Sequence, residues 1–315
     1  MRGGTSRQSM TLLRLIRTET GRDVSMETFL ADPSIRALTD AIERSPAMAP
    51  HEVAVRPLRQ GTDPAATPLL LLQGVHGDVD LYRYLVEQLD PDRDVHGVYG
   101  AMYGRDGERV PVDDVAARLV DGIVAVMPFG PIALAGYSFG GLLAYEAARR
   151  LVERGRDVVF LGLLDPRPPL VGLTRPEQLA RKAASFIAIF LPGFSDTTIA
   201  TAVANRFRRE TLSSEQLMLL DSVRLARSFS LQPYGGPVTY LRAARRIPVI
   251  SHLMHAWRRM APDLTIVDVP GAHYELLAEK NAPALAARVS HALRAADGAG
   301  AAPPVQPSAA ERRAG

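Results

Sequence analysis

The spacing of apolar residues divides the chain into two parts. Within residues 1–45, apolar residues recur every three or four positions, which predicts a helix over 5–18, a turn around 26–30 and a second helix over 35–42. From residue 68 onward, short continuous apolar runs alternate with amphipathic stretches. Continuous runs are typical of strands buried on both faces. The pattern therefore predicts an α/β fold, a mostly parallel sheet with helices on both faces, preceded by a short helical segment.

Six apolar runs in the second part have the length of buried strands. The predicted strands are 69–73, 95–99, 132–135, 158–164, 237–243 and 264–269, and the predicted helices are 81–89, 112–126, 142–151, a segment containing Met254 and Trp257, and 283–293. In a sheet of this kind, the loops that follow the parallel strands all meet at one edge. We therefore expect the functional side chains in those loops.

Local composition predicts the domain boundaries. The predicted segments are a helical segment over 1–45, a Pro-containing linker over 46–67, an α/β domain over 68–294 and a disordered Ala/Pro/Gly-rich tail over 295–315. Within the linker, residues 52–58 are a candidate edge strand. The stretch from about 170 to 231 interrupts the alternation with helical spacing, which fits either a lid over the site or a packing scaffold.

Overall composition excludes several classes of function. The 315-residue chain has no cysteine, so it contains no disulfide, thiolate metal site or thiol nucleophile. Its formal net charge is +3 and no basic run is interleaved with aromatic residues, so we expect no nucleic-acid partner. Neither a signal-peptide pattern nor an apolar run of membrane-spanning length is present. We expect a cytoplasmic protein with no membrane partner and no metal.

The segment Gly136-Tyr137-Ser138-Phe139-Gly140 lies between an apolar run and a helical stretch. A G-x-S-x-G pattern between a strand and a helix indicates a nucleophile elbow, where the glycines let the two backbones approach and the serine hydroxyl is exposed. The alternative is a Gly- and Ser-rich turn that only joins strand to helix. The flanking elements favour Ser138 as a nucleophile.

A serine nucleophile needs a base and a carboxylate that orients the base. Of the seven histidines, His273 follows the last predicted strand in a Gly-containing loop, the position of the base in α/β hydrolases. Asp165 follows the strand 158–164 and is the best-placed acid, with a turn-initiating Asp-Pro as the alternative interpretation. Asp268 is a rival acid, disfavoured because it lies inside a predicted strand.

An oxyanion hole requires two backbone amides directed at the developing charge. One is expected from Phe139, the residue after the nucleophile. The other is expected from the loop after the first buried strand, where we favour Val75 and keep Gly74 as the alternative. His76 in the same loop suits substrate contact or turn packing better than a role as a second base.

From about Leu69 to Leu293 the chain resembles the thioesterase domains that end nonribosomal peptide and polyketide synthases, members of the α/β-hydrolase family. The matching motifs are Gly136-Tyr137-Ser138-Phe139-Gly140-Gly141, Leu164-Asp165-Pro166-Arg167-Pro168-Pro169 and Pro270-Gly271-Ala272-His273, with Trp257 before the last strand. The resemblance implies that Ser138 takes an acyl or peptidyl chain from the phosphopantetheine of a carrier protein. His273, oriented by Asp165, then activates water or an internal nucleophile for release. The thioesterase itself would need no cofactor.

The N-terminal segment is similar to the latter half of a carrier-protein domain. Gly3-Gly4-Thr5-Ser6 stands where such domains have Gly-Gly-x-Ser, and residues 29–34 resemble the loop before their last helix. This resemblance implies that Ser6 is a phosphopantetheine attachment site and that an acyl- or peptidyl-carrier protein is the partner. From the residues alone, a polar helix cap near the start of the sequence explains Ser6 equally well.

Other functions share parts of this pattern. A free-standing editing thioesterase and a general serine esterase would carry the same hydrolase motifs, whereas the first would lack the carrier-like residues and the second would need no carrier. A non-catalytic hydrolase-fold module is disfavoured because Ser138, Asp165 and His273 are all chemically competent. A carrier-binding structural module is the last alternative.

Overall fold

A computed structural model describes residues 26–45, 53–75, 77–100, 102, 110–167, 175–176, 231–245 and 254–300, together with scattered positions between 9 and 24. The strands are β1 Val53–Arg59, β2 Leu69–Leu72, β3 Val95–Gly100, β4 Ile132–Tyr137, β5 Val158–Leu164, β6 Val238–Arg245 and β7 Leu264–Ala272. The helices are α1 Met26–Ala31, α2 Ile35–Arg44, α3 Arg83–Gln88, α4 Val112–Val126, α5 Phe139–Glu153, α6 Met254–Met260 and α7 Ala282–Gly300, and 3₁₀ turns cover Asp80–Tyr82 and His273–Glu275.

The strands form one sheet in the order β1-β3-β2-β4-β5-β6-β7. β1 pairs with β3 in antiparallel orientation, and all the other pairs are parallel. The leucines of β2 show how the sheet is covered: Leu70 and Leu72 pack with α4, α5 and α6, whereas Leu69 and Leu71 pack with α3 and α7. Because successive side chains point to opposite faces, an uninterrupted apolar strand requires helices on both sides. The predicted fold class is confirmed.

Three parts of the chain depart most from the sequence prediction, and the other ends of the described elements shift by three residues or fewer. β1 confirms the candidate edge strand at 52–58, and it extends the sheet into the segment predicted as a linker. An edge strand can contain Pro57, which has no amide hydrogen to donate. Residues 26–31 form helix α1 rather than a turn. Helix α7 continues to Gly300, beyond the predicted tail boundary at 295, because Asp297 pairs with the buried Arg93 and Ala296 packs on the core.

The N-terminal segment is held by a much smaller core than the sheet. Helix α2 begins at Ile35 because the Ser34 hydroxyl accepts a hydrogen bond from the Ala37 amide at 3.2 Å, as expected of an N-cap. The buried apolar residues described here are Leu13, Val24 and Ala41. Most of the predicted helix over 5–18, almost all of the predicted lid and residues 301–315 lie outside the described residues.

The described residues also bear on the expected absence of membrane and metal partners. None of the helices there is long and apolar enough to cross a membrane. In the same residues, no group of three or more His, Asp or Glu side chains is arranged to hold a metal ion.

Candidate active site

The turn between β4 and α5 has the strained geometry of a nucleophile elbow. Ser138 has φ 54° and ψ −114°, a combination that residues with a side chain rarely adopt. The Ser138 amide donates to the Leu164 carbonyl at 3.0 Å, and its carbonyl accepts from the Gly141 amide at 3.1 Å. These bonds on either side of the serine hold the strained conformation in place.

Two glycines of the elbow are required by close backbone contacts. A Cβ at Gly136 would lie 2.0 Å from the Gly140 carbonyl oxygen. A Cβ at Gly140 would lie 2.6 Å from the Gln73 carbonyl oxygen. Neither contact can be relieved by a side-chain movement, because both partners are main-chain atoms. The sequence pattern G-x-S-x-G therefore reflects the packing of α5 onto the ends of β4 and β2.

Three predicted site residues meet in one hydrogen-bonded row at the carboxyl edge of the sheet. His273 Nε2 lies 3.1 Å from Ser138 Oγ, and His273 Nδ1 lies 2.9 Å from Asp165 Oδ2. They come from the ends of three strands, β4, β5 and β7. The Asp165 and His273 side chains are 14% and 19% exposed, so the carboxylate–imidazole contact is largely shielded from water while the site keeps access to solvent. An imidazole with its proton on Nδ1 would leave Nε2 free to accept the serine proton.

Asp165 is fixed by the ends of two strands. It has φ 51°, its amide donates to the Leu241 carbonyl at 2.9 Å, and its Oδ1 accepts from the Ala243 amide at 3.1 Å. One carboxylate oxygen thus binds the tip of β6 and the other faces His273. The rival Asp268 instead makes a bidentate ion pair with Arg242, with distances of 2.7 and 2.9 Å. The geometry favours Asp165 over Asp268 as the partner of the histidine.

The backbone amides near the serine differ in whether they are already engaged. Phe139 is the first residue of α5, and the first amides of a helix have no acceptor within the helix. In the loop after β2, the Gly74 amide donates to the Asp78 carbonyl at 2.9 Å. The Val75 amide donates to no acceptor among the residues that the structure describes. Val75 is therefore the better candidate for the second oxyanion donor, and Gly74 is disfavoured.

The loop that carries His273 is fixed by Glu275. Its carboxylate accepts hydrogen bonds from Lys280 Nζ at 2.9 Å and from the Ala272 amide at 3.2 Å, and it also pairs with Arg245. These donors, Lys280 first, lower the pKa of Glu275 to about 2. The sequence motifs did not indicate this residue, because its partner Arg245 lies 30 residues away on β6.

Tyr137 is a second residue of the site that the motif left unspecified. Its ring stacks on His273 with the ring centroids 5.0 Å apart and an interplanar angle of 26°, and its hydroxyl donates to the His273 carbonyl at 2.7 Å. It occupies the first variable position of G-x-S-x-G, for which the motif demands no residue type.

Two other histidines lie on helices rather than in the loops that follow the strands: His255 lies on α6 and His291 on α7. Ser6, His76 and His252 fall outside the described residues.

Comparisons with known proteins identify the family of the chain. The family model of the thioesterase domain matches residues 67–293, and that of the phosphopantetheine attachment site matches residues 3–42. The chain is 26% identical over 294 residues to vanchrobactin synthetase VabF of Vibrio anguillarum and 28% identical over 291 residues to enterobactin synthase component F of Escherichia coli K12. These alignments cover 89% and 87% of the chain, which spans only 10% and 21% of the relatives' length.

Solved structures show the same fold. The NocB thioesterase domain from the nocardicin cluster matches with a TM-score of 0.53 and 24% identity, covering 77% of this chain and 98% of that one. The four-domain nonribosomal peptide synthetase holo-AB3403 matches with a TM-score of 0.57 and 20% identity, covering 91% of this chain and 24% of that one. With the family match over most of its length and the α/β-hydrolase architecture on which the serine, histidine and aspartate meet, the chain belongs to the thioesterase domain family.

Proposed function

We propose that this chain is a serine thioesterase that releases an acyl or peptidyl chain from a phosphopantetheinyl carrier protein in nonribosomal peptide or polyketide synthesis. The observation that carries the proposal is the row Asp165–His273–Ser138 on a thioesterase-family fold. The phosphopantetheine attachment match over residues 3–42 supports a carrier-coupled release enzyme over a general esterase or a free-standing editing enzyme.

In the first half of the reaction, Ser138 Oγ attacks the thioester carbonyl carbon while His273 Nε2 accepts the serine proton. Asp165 holds the imidazole and stabilises the imidazolium that forms. The Phe139 and Val75 amides stabilise the oxyanion. The C–S bond then breaks, and the departing pantetheine sulfur takes the proton from His273, which leaves an acyl-serine.

In the second half, water or a nucleophile within the bound chain gives its proton to His273 and attacks the acyl-serine carbonyl. The ester C–O bond breaks, and Ser138 Oγ recovers the proton. Water gives a free acid and an internal amine or hydroxyl gives a ring, so hydrolysis and macrocyclisation use the same residues.

A serine-directed fluorophosphonate tests the nucleophile. We expect covalent labelling at Ser138, mapped by peptide mass spectrometry, and loss of labelling in Ser138→Ala and His273→Ala. Labelling of another serine, or equal labelling of the variants, would contradict the assignment.

The substrate class is tested with one acyl chain offered in two forms. An acyl-pantetheine thioester should react with a kcat/KM at least about tenfold above that of the corresponding simple oxygen ester, because contacts with the pantetheine arm contribute to transition-state binding. Equal values for the two would favour a general esterase.

Ser6 is tested separately, as a proposed attachment site. Incubation with coenzyme A and a phosphopantetheinyl transferase should increase the mass by one phosphopantetheine group in the wild type but not in Ser6→Ala. An unmodified wild-type chain would assign Ser6 to helix capping.

A further inference from the structure

Tyr137 contacts His273 in two ways that the reaction scheme does not use. Its ring covers one face of the imidazole, and its hydroxyl donates to the carbonyl of the same residue at 2.7 Å. Asp165 holds only the Nδ1 edge of the ring. The Tyr274 ring also meets the imidazole at right angles, with the centroids 5.0 Å apart, but Tyr274 is exposed. The stacked ring of Tyr137, anchored by its hydroxyl, is therefore the firmer restriction on tilting of the imidazole about the Asp165 hydrogen bond.

A second buried tyrosine holds Tyr137 in turn. The Tyr82 hydroxyl accepts a hydrogen bond from the Tyr137 amide at 2.8 Å and donates to the Leu72 carbonyl at 2.7 Å. Tyr82 is fully buried, so both bonds are shielded from water. Leu72 is the last residue of β2, directly before the loop that holds Val75.

The two tyrosines therefore connect three parts of the site: the end of β2, the elbow and the loop of His273. Burial raises the pKa of both hydroxyls far above 10, so each keeps its proton and remains a donor across the working pH range. The connection does not pass through Asp165. It holds the histidine main chain to the residue that precedes the nucleophile.

We propose that Tyr137 is a positioning residue that sets the plane of the His273 ring against Ser138 Oγ, with Tyr82 fixing Tyr137 to the end of β2. The proposal rests on the proposed function, because it assumes that His273 is the base. Serine and imidazole must stay near 3.1 Å for proton transfer, and a displacement of about 1 Å can lower a rate by about 10²-fold.

The test measures the rate at which a small fluorophosphonate reacts with Ser138, separated into kinact and KI. Tyr137→Phe removes the hydroxyl and keeps the stacked ring, so we expect kinact to fall about tenfold with KI within about twofold. Tyr137→Leu removes both contacts and should lower kinact about 100-fold. The same order is expected in kcat for an acyl-pantetheine thioester, with KM little changed.

Tyr145→Phe is the matched control. Tyr145 is also fully buried and its hydroxyl donates to the Met260 carbonyl at 2.7 Å, but that bond joins α5 to α6 away from the base. We expect it to lower thermal stability while kinact stays within about twofold of the wild type. This separates loss of position from a general loss of packing.

Tyr82→Phe is the second variant and keeps the test open if Tyr137→Leu does not fold. It removes the acceptor of the Tyr137 amide, and we expect kinact to fall by about threefold to tenfold. A folded Tyr137→Phe variant with wild-type kinact, or one no slower than Tyr145→Phe, would overturn the positioning role alone. A wild-type chain that is not labelled at Ser138 would overturn the proposed function and this inference together.

Discussion

The sheet has a carboxyl edge, where the parallel strands end, and an amino edge, where they begin, and different interactions stabilise the two. At the carboxyl edge, Ser138 and Asp165 both have positive φ, and α5 lies so close that glycines are required. At the amino edge, opposite charges close the structure: the Arg93 side chain is 5% exposed and donates to Asp297 and to the Thr67 carbonyl, both at 2.7 Å. The carboxyl edge therefore holds side chains on a strained backbone, whereas the amino edge holds a buried charge that is paired with an opposite charge.

The amino edge contains an open cavity of about 310 Å³. Its charged lining residues are Asp63, Asp92, Arg93, Asp157, Arg294 and Asp297. The carboxyl edge instead brings a serine, a histidine and an aspartate into one row. Charge alone therefore does not indicate the reactive end of this fold. Substitution of the acid Asp165 at the carboxyl edge should affect rate more than stability, and substitutions at the amino edge should do the reverse.

The largest expected effect concerns the acid at the carboxyl edge. Asp165→Ala should lower kcat by about 10³- to 10⁴-fold, because the imidazole loses the partner that orients it. Asp268→Ala is the matched control. Its exposed ion pair with Arg242 is worth about 1 kcal/mol or less, so kcat should stay within about twofold. Steady-state kinetics on both variants measure these effects. A large loss of kcat in Asp268→Ala but not in Asp165→Ala would assign the acid to Asp268.

The next effect is at the amino edge. Asp297→Ala leaves the buried Arg93 without its carboxylate and should lower the free energy of unfolding by about 2 kcal/mol, with kcat per folded molecule unchanged. Urea unfolding measures the first quantity and titration of active serines normalises the second. Arg154→Ala, which breaks an exposed pair with Asp121, should change stability by about 0.5 kcal/mol or less. A loss of kcat per folded molecule in Asp297→Ala would contradict the expectation that the amino edge affects stability alone.

A smaller effect measures the strain at the elbow. Both Ser138→Gly and Ser138→Ala lack the nucleophile, so activity does not enter the comparison. Because Gly tolerates a φ of 54° that Ala does not, Ser138→Gly should unfold with a free energy higher by about 1 kcal/mol, even after the entropic cost of glycine. Equal stability of the two variants in urea would mean that the elbow stores little strain.

The smallest effect concerns Glu275, which stabilises the carboxyl edge. Its pKa is lowered from 4.5 to about 2 on folding, so its contribution is present above about pH 4.5 and is lost as the pH falls through about 2. Glu275→Gln should therefore be less stable than the wild type at neutral pH, with the difference disappearing on acidification. Urea unfolding from pH 7 down to pH 2 tests this. Glu279→Gln, at an exposed neighbouring carboxylate, controls for the loss of one negative charge, and a difference that persists at pH 2 would refute the explanation.

Sequence patterns predicted the fold well wherever an element is defined by its own residues. The predicted bounds of β5 and α4, 158–164 and 112–126, agree with the structure because both are long, apolar and sharply bounded. β1 could be predicted only as a candidate edge strand inside a linker, because its charged residues and Pro57 weaken the strand pattern and the strand depends on pairing with β3. The last turns of α7 depend on the ion pair between Asp297 and Arg93, two residues separated by 204 positions in the sequence.

The candidate site divides in the same way. Ser138, Asp165 and His273 could be predicted because each follows a predicted strand within a recognisable motif. The contact of Tyr137 with His273 and that of Glu275 with Arg245 could not be predicted, because each joins residues that are far apart in the sequence. The sequence already favoured Val75 over Gly74, and the structure adds that a hydrogen bond within the loop engages the Gly74 amide.

The hydrogen-bonded row also has a consequence for the folding kinetics of the chain. His273 is separated by 108 residues from Asp165 and by 135 residues from Ser138, so the row can form only after the intervening chain has assembled. Contacts between residues so far apart in sequence close late, because the entropy of large loops must be lost first. Reactivity of Ser138 therefore reports the last stage of folding. In a refolding experiment, labelling of the serine should return with the slowest phase, after the circular-dichroism signal of the helices has recovered.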